Sequence, residues 1–197
     1  MKIHGTAKGG ALSKKDFGVA FSASGGATSE YDTTTFTNND DNNFAYKIYS
    51  TGRYVNASEI ISGGTLDGVK LNQMKCLCQK IGSPNSSTIY GRIFEDTNDP
   101  LTTIETSTDT YNTDDITTGD AGTELTFNFS GDTTLAAGNR VGIYASIAGG
   151  TNVKAIGLRN YQPRTTDNAV VTFSEWNPDK WEDDGNYNLW QQFTYTE

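Results

Sequence analysis

The sequence has few of the residues that metal centres and hydrolytic triads use. It contains two cysteines and one histidine in 197 residues. The histidine, His4, is far from any firmly predicted strand, which argues against a Ser, His and Asp triad. Cys76 and Cys78 would point to the same face of a strand, where a disulfide between them would be strained. We therefore expect two buried thiols and no cysteine-bound metal.

Positive charge and long apolar runs are also scarce. The chain has 15 Lys and Arg against 24 Asp and Glu, with a net charge of −9. Nucleic-acid binding depends on clustered Lys and Arg, so neither DNA nor RNA is an expected partner. No apolar run approaches the roughly 20 residues that span a bilayer, so we expect no membrane span. The opening "MKIHGTAKGGALSKKDFGVAF" has no continuous apolar segment, so no signal peptide is expected.

What the chain does contain is typical of a β-protein. It has 21 Gly, 10 Tyr and 9 Phe, and from residue 44 onward short alternating segments are separated by turn clusters. Inward positions predicted from this alternation are Met74, Cys76, Cys78, Leu125, Phe127 and Phe129. In "STIYGRIF" Ile89 and Ile93 alternate with Tyr90, Arg92 and Phe94, and in "RVGIYASI" one side carries Val141, Ile143, Ala145 and Ile147. The pattern predicts an all-β fold, an antiparallel β-sandwich of jelly-roll type.

Composition divides the chain into three parts. Residues 1–22 are rich in glycine, and four lysines against one aspartate give them a net charge of +3, leaving about −12 for the rest. We interpret 1–22 as an extended N-terminal arm, with a disordered tail as the alternative. Residues 23–43 form a polar leader, and residues 44–197 form the jelly-roll domain. A basic arm on an acidic body could dock on a neighbouring copy of the chain.

Three segments, "VKLNQMKCLCQKIGSPNSSTIYGRIF", "ELTFNFSGDTTLAAGNRVGIYASI" and "WNPDKWEDDGNYNLWQQFTYT", carry a resemblance to a known module. Their order over residues 55–197 resembles the jelly-roll module of tailed-virus structural and tail-fibre proteins and of carbohydrate-binding-module-like, choice-of-anchor type surface proteins. The first 22 residues also resemble the starts of short virus-encoded proteins. The resemblance implies a displayed β-sandwich. Gln191 and Gln192 depart from the pattern, because an apolar residue is expected there.

Aromatic residues near the carboxyl terminus are the predicted binding surface. Trp176, Trp181, Tyr187 and Trp190 lie within fifteen residues of one another among polar side chains. Aromatic rings stack on sugar faces, but they also close cores and form subunit contacts, so both interpretations stay open.

Acidic residues suggest a second kind of site. "NNDDNN" and "EDTNDP" contain hard oxygen ligands, so a structural calcium is an expectation at Asp40, Asp41, Asp96 or Asp99. The alternative is solvated turns, to which we assign "EDTNDP", "TDTYNTDDITTGD" and "KWEDDG". Glu95, Glu124 and Glu175 fall in or beside strands and would be the carboxylates of a glycan-cleaving enzyme, but we expect no enzymatic activity.

Two functional hypotheses follow from the sequence. The leading one is a non-enzymatic virus structural protein on the capsid, tail or fibre, located at the virion surface. Its partners would be copies of itself, as a trimer, and other virion proteins. The alternative is a carbohydrate-binding or receptor-binding module that recognises host-surface glycans. The two hypotheses are compatible with each other.

Overall fold

The computed structural model describes residues 28–32, 44, 46–49, 53–97, 102–161, 168–173, 181–183 and 188–197. The predicted arm at 1–22 and the candidates Asp40, Asp41, Asp99, Trp176 and Tyr187 lie outside these residues. Within them the chain forms strands and one turn of 3-10 helix at Thr113–Asp115. The described residues contain no helix that is long and apolar enough to cross a membrane.

The strands, numbered in chain order, form two antiparallel sheets, which confirms the all-β prediction. The first sheet contains β1 (Thr28–Asp32), β2 (Tyr46–Ile48), β4 (Lys70–Ile81), β7 (Thr123–Asn128), β9 (Ala155–Leu158) and β14 (Gln191–Thr196). The second contains β3 (Val55–Ile60), β5 (Thr88–Phe94), β6 (Thr103–Asn112), β8 (Arg140–Ala145), β11 (Asn168–Phe173) and β12 (Trp181–Asp183). A separate ladder joins β10 (Asn160–Tyr161) to β13 (Asn188–Leu189).

Strand order within each sheet places distant parts of the chain side by side. The first sheet runs β1-β14-β4-β9-β2, with β7 paired to β4. The second runs β12-β11-β3-β8-β5-β6. β1 lies within the segment that the sequence assigns to the polar leader, and it pairs with the last strand, β14.

The inner faces of the two sheets share one hydrophobic core. All six predicted inward residues are buried in it, and so are Ile89, Ile93, Val141 and Ile143, so the alternation in these strands is confirmed. The Sγ atoms of Cys76 and Cys78 lie 3.8 Å apart as free thiols. A hydrogen bond with Cys78, reinforced by burial, raises the pKa of the Cys76 thiol well above its usual value. This thiol therefore stays protonated and behaves as a small apolar group.

The strand β6 corrects one sequence prediction. Residues 108–112 of the segment "TDTYNTDDITTGD" belong to this ten-residue strand and not to a turn. β6 pairs only with β5 among the described strands, and its exposed side chains are polar except for Ile104, so it lacks the apolar alternation that identifies a strand.

Side chains of β6 cover the edge of β7 in the opposite sheet. The Tyr111 hydroxyl donates to the Thr126 carbonyl (2.9 Å) and accepts from the Thr126 amide (3.1 Å). The Asp109 carboxylate accepts from the amide (3.0 Å) and the Nδ2 (2.7 Å) of Asn128. These bonds satisfy backbone groups that point away from β4, so this edge of the first sheet is closed to another strand.

The Asp109 contacts predict a pH dependence of stability. Hydrogen bonds from Asn128 lower the pKa of Asp109 below its usual value of about 3.9. A carboxyl whose pKa is lower in the folded state stabilises that state above its unfolded pKa, and this stabilisation disappears as the pH falls through the folded value. We expect Asp109→Asn to be less stable than the wild type at neutral pH. Urea denaturation should show this difference shrinking below about pH 4.

Asp132→Asn is the matched control, because Asp132 is exposed and its carboxylate accepts no hydrogen bond from the described residues. Its urea midpoint should follow that of the wild type throughout. A constant difference between Asp109→Asn and the wild type across the pH range would contradict the role of the charged carboxylate.

Candidate functional site

The outer face of the second sheet carries aromatic and basic side chains on neighbouring strands. β5 and β8 pair antiparallel, which sets Tyr90 opposite Tyr144 and Arg92 opposite Gly142. The outward positions of Tyr90 and Arg92 agree with the alternation of β5, where Ile89 is buried and Tyr90 is partly exposed. Gly142 has no room for a side chain, because an added Cβ would lie 2.4 Å from the Cα of Ala57 on β3.

The guanidinium of Arg92 lies against two tyrosine rings. Its Cζ is 4.0 Å from the ring centroid of Tyr144 and 5.2 Å from that of Tyr90. Tyr144 is the centre of the group, since its centroid is 6.3 Å from that of Tyr90 and 6.5 Å from that of Tyr54. Contacts of this kind hold the arginine side chain in place.

These residues line a pocket of about 390 Å³, which we call the β5/β8 pocket. It is bounded by Ser87, Thr88, Tyr90, Arg92, Tyr144 and Ser146. Ser87 at its end is fixed by a hydrogen bond from its Oγ to the Ser146 carbonyl (2.6 Å). The pocket therefore combines aromatic rings, hydroxyl groups and a cation. Its volume lies in the lower part of the roughly 300–1,000 Å³ range of small-molecule sites.

Two arginines on this face have different surroundings. Arg140 lies near two carboxylates, with Nη2 3.6 Å from Glu59 and Nη1 3.5 Å from Asp96. Arg92 forms no ion pair with any described residue, and its buried Nε has no hydrogen-bond partner among them. Partial burial lowers the pKa of Arg92 from its usual value, while Tyr144 and Tyr90 act in the opposite direction. The guanidinium remains charged at neutral pH.

The predicted tryptophan surface is only partly described. Trp181 is half-buried, packs edge-on against Phe94 with centroids 5.3 Å apart, and lies 5.0 Å from the Cζ of Arg140. Trp190 follows β13, and its amide donates to the Arg159 carbonyl (2.8 Å). These contacts place Trp181 in a packed cluster on the outer face of the second sheet. No described ring contact joins it to Trp190.

The candidate calcium ligands stay a prediction. Of the four aspartates only Asp96 is described, and its carboxylate lies beside Arg140. The described residues contain no group of three or more His, Cys, Asp or Glu side chains that could hold a metal ion.

The candidate enzymatic carboxylates belong to different sheets. Glu124 lies on β7 in the first sheet, with its carboxylate 3.4 Å from Lys75 Nζ. Glu95 directly follows β5 in the second sheet and is exposed. Glu175 and His4 lie outside the described residues. The absence of enzymatic activity stays a prediction.

Sequence reasoning missed the β5/β8 pocket although it placed Tyr90 and Arg92 on one face of their strand. The signal was present, since Tyr90 and Arg92 are bulky residues at outward positions where small polar ones are usual. Tyr144 is about fifty residues further along, and only the register of β5 against β8 brings it beside them.

Comparisons of this chain with protein-family models, with curated proteins and with solved structures find no match.

Proposed function

We propose that this protein is a non-enzymatic β-sandwich of jelly-roll type that binds a saccharide in the β5/β8 pocket. The observation that carries the proposal is the grouping of Tyr90, Tyr144 and Arg92 with serine and threonine hydroxyls around one pocket. Sugar rings present apolar C–H faces that stack on aromatic rings, and a rim of hydroxyls that hydrogen-bond to polar side chains. The pocket offers both kinds of contact.

The fold supports this role by holding the pocket rigid. Tyr90, Arg92 and Tyr144 are on paired strands whose inner faces form the core, and not on long loops. A binding surface on strands loses little conformational entropy when the ligand binds.

The leading sequence hypothesis, a self-assembling virion subunit, is our second proposal. It is supported by the strands that end the two sheets, β1, β2, β6 and β12, each of which pairs on one side only within the described residues. Such edges are commonly covered by a second copy or by a partner chain. In this proposal the extended arm at 1–22 docks on a neighbouring copy, and the particle surface displays the β5/β8 pocket toward host glycans.

Light scattering coupled to size-exclusion chromatography tests the second proposal. We expect the full chain to elute as a trimer, and a chain lacking residues 1–22 to shift toward the monomer. A monomeric full chain at high protein concentration would contradict self-assembly without affecting the saccharide proposal.

A glycan array tests the first proposal and separates the β5/β8 pocket from the predicted tryptophan surface. We expect the full chain to bind a subset of glycans, and Tyr144→Ala to lose about ten- to a hundredfold in affinity, because stacking and packing at a binding hot spot are lost. Trp190→Ala, which also removes an aromatic ring, should keep its affinity.

The converse result, with binding lost in Trp190→Ala and kept in Tyr144→Ala, would move the site to the tryptophan surface. Absence of binding to any glycan would refute the saccharide proposal. Thermal melts of both variants establish that they are folded.

A further inference from the structure

We infer that the saccharide bound in the β5/β8 pocket is acidic, and that Arg92 recognises its carboxylate or sulfate group. This inference rests on the proposed function and names the class of ligand. It starts from the environment of one cation, Arg92, in a protein whose net charge is −9.

The Arg92 side chain contacts two tyrosine rings within the protein. Tyr90 and Tyr144 contact the guanidinium as cation–π partners, and a ring that attracts the positive charge does not replace a hydrogen-bond acceptor. The N–H donors of a guanidinium lie in its plane, where they match the two oxygens of a carboxylate. No described residue accepts a hydrogen bond from the Arg92 side chain, and its Nε is buried without a partner. The donors on Nη1 and Nη2 therefore remain for a ligand.

Arg140, on the same face of the second sheet, has carboxylate neighbours that Arg92 lacks. Arg140 also contacts an aromatic ring, that of Trp181, but Glu59 and Asp96 neutralise it. Arg92 has the ring contacts without the carboxylates, although acidic residues outnumber basic ones in this chain by 24 to 15. A partly buried cation without a counter-charge is costly unless a bound anion supplies it.

Arg92 shares the β5/β8 pocket with several hydroxyl groups. It lines the same pocket as the hydroxyl-bearing Ser87, Thr88 and Ser146. A saccharide with one anionic substituent can place the anion on the guanidinium, a ring face on Tyr144 and hydroxyl groups on the serine and threonine side chains. A neutral sugar would leave the charged donors of Arg92 desolvated and unpaired, which disfavours its binding.

Calorimetric titration of the full chain with matched pairs of saccharides tests the inference. Each pair consists of an acidic sugar and its neutral counterpart: glucuronate and glucose oligomers, galacturonate and galactose oligomers, sialyllactose and lactose, and sulfated and plain lactose. We expect binding in at least one pair, with the acidic member about ten- to a hundredfold tighter, the range that a charge-assisted hydrogen bond supplies. The carboxylated and sulfated members show which oxyanion is preferred.

Variants of Arg92 assign the preference to this side chain. Arg92→Gln should abolish the difference in affinity between the acidic and the neutral member, because it removes the charge that pairs with the anion. Arg92→Lys should keep part of the preference, since lysine keeps the charge but lacks the planar pair of donors. Lys154→Gln is the matched control, because it removes one positive charge from an exposed position outside the pocket.

The outcomes separate the inference from the proposed function. Equal binding of acidic and neutral members, or an equal effect of Arg92→Gln on both, overturns the inference and leaves a saccharide site. An acidic preference that survives Arg92→Gln and is lost in Lys154→Gln also overturns it. Binding of no saccharide refutes the proposed function together with the inference. Thermal melts establish that loss of binding in a folded variant is not loss of structure.

Discussion

Gly91→Ala is expected to lower the free energy of unfolding by about 1–3 kcal/mol, the usual cost of forcing an extra methyl group into a packed core. Gly91 lies on the inner face of β5, where an added Cβ would be 2.6 Å from Cγ and 2.7 Å from Cβ of Phe127 in the opposite sheet. Phe127 is fully buried and also packs edge-on against Tyr111, with centroids 5.3 Å apart. The ring cannot move away without separating the two sheets.

Thermal and urea unfolding measure this effect. For a domain of this size a loss of 1 kcal/mol lowers the melting temperature by about 2–4 °C. Gly119→Ala is the control, because Gly119 is exposed, has no positive φ and would meet only the Thr117 hydroxyl at 3.2 Å. We expect Gly119→Ala to stay within about 0.5 kcal/mol of the wild type. Equal stability of Gly91→Ala and Gly119→Ala would contradict the close packing of β5 on Phe127.

Gln191→Leu should cost about 1–3 kcal/mol, because it leaves a buried polar group without its partner. Gln191 is fully buried, and its Oε1 accepts a hydrogen bond of 2.5 Å from the hydroxyl of Ser58 in the opposite sheet. Its Nε2 donates to the Val141 carbonyl at 3.2 Å. The side chain thus links β14 to β3 and β8 through the core.

A double-mutant cycle tests the link between Gln191 and Ser58. The single variants Gln191→Leu and Ser58→Ala each leave a buried partner unsatisfied, whereas the double variant removes both members of the pair. We expect the double variant to be more stable than the sum of the two single losses predicts, by about 0.5–3 kcal/mol. Strict additivity in urea unfolding would show that the two side chains do not interact across the core.

Gln191 is also one of the two residues that depart from the expected sequence pattern of the last strand. An apolar residue is expected at the start of the last strand, and Gln191 and Gln192 stand there. Burial in β14 nevertheless alternates: Gln191, Phe193 and Tyr195 are buried and the residues between them are half-exposed, although the register against β4 shifts between Thr194 and Tyr195. Gln191 is accommodated by partners on β3 and β8 that are far away in the sequence, so no local pattern could indicate them.

The residues whose burial was predicted correctly lie in strands where apolar and polar side chains alternate clearly. In "ELTFNFS" the inward positions Leu125, Phe127 and Phe129 alternate with polar ones, and the structure buries all three. In contrast, β6 is rich in threonine and acids, because it is an edge strand with an exposed face. Its side chains bond to the edge of β7, a requirement that arises only when the two sheets face each other.

The location of the binding pocket also depends on contacts between strands that are distant in the sequence. The sequence directs attention to the tryptophans because they are close together in the chain. The β5/β8 pocket depends instead on the pairing of two strands separated by about fifty residues, which places Arg92 against Tyr144. Alternation shows which side chains point outward, but it does not show which strands are neighbours.

Amide chemical-shift mapping by NMR of the isotopically labelled full chain tests the central claim most directly. The chain is titrated with the tightest-binding saccharide from the array. If the β5/β8 pocket is the binding site, the largest shifts fall on the amides of residues 87–92 and 144–146, which carry the pocket's lining residues. Largest shifts around Trp181 and Trp190, with β5 and β8 unchanged, would contradict the account.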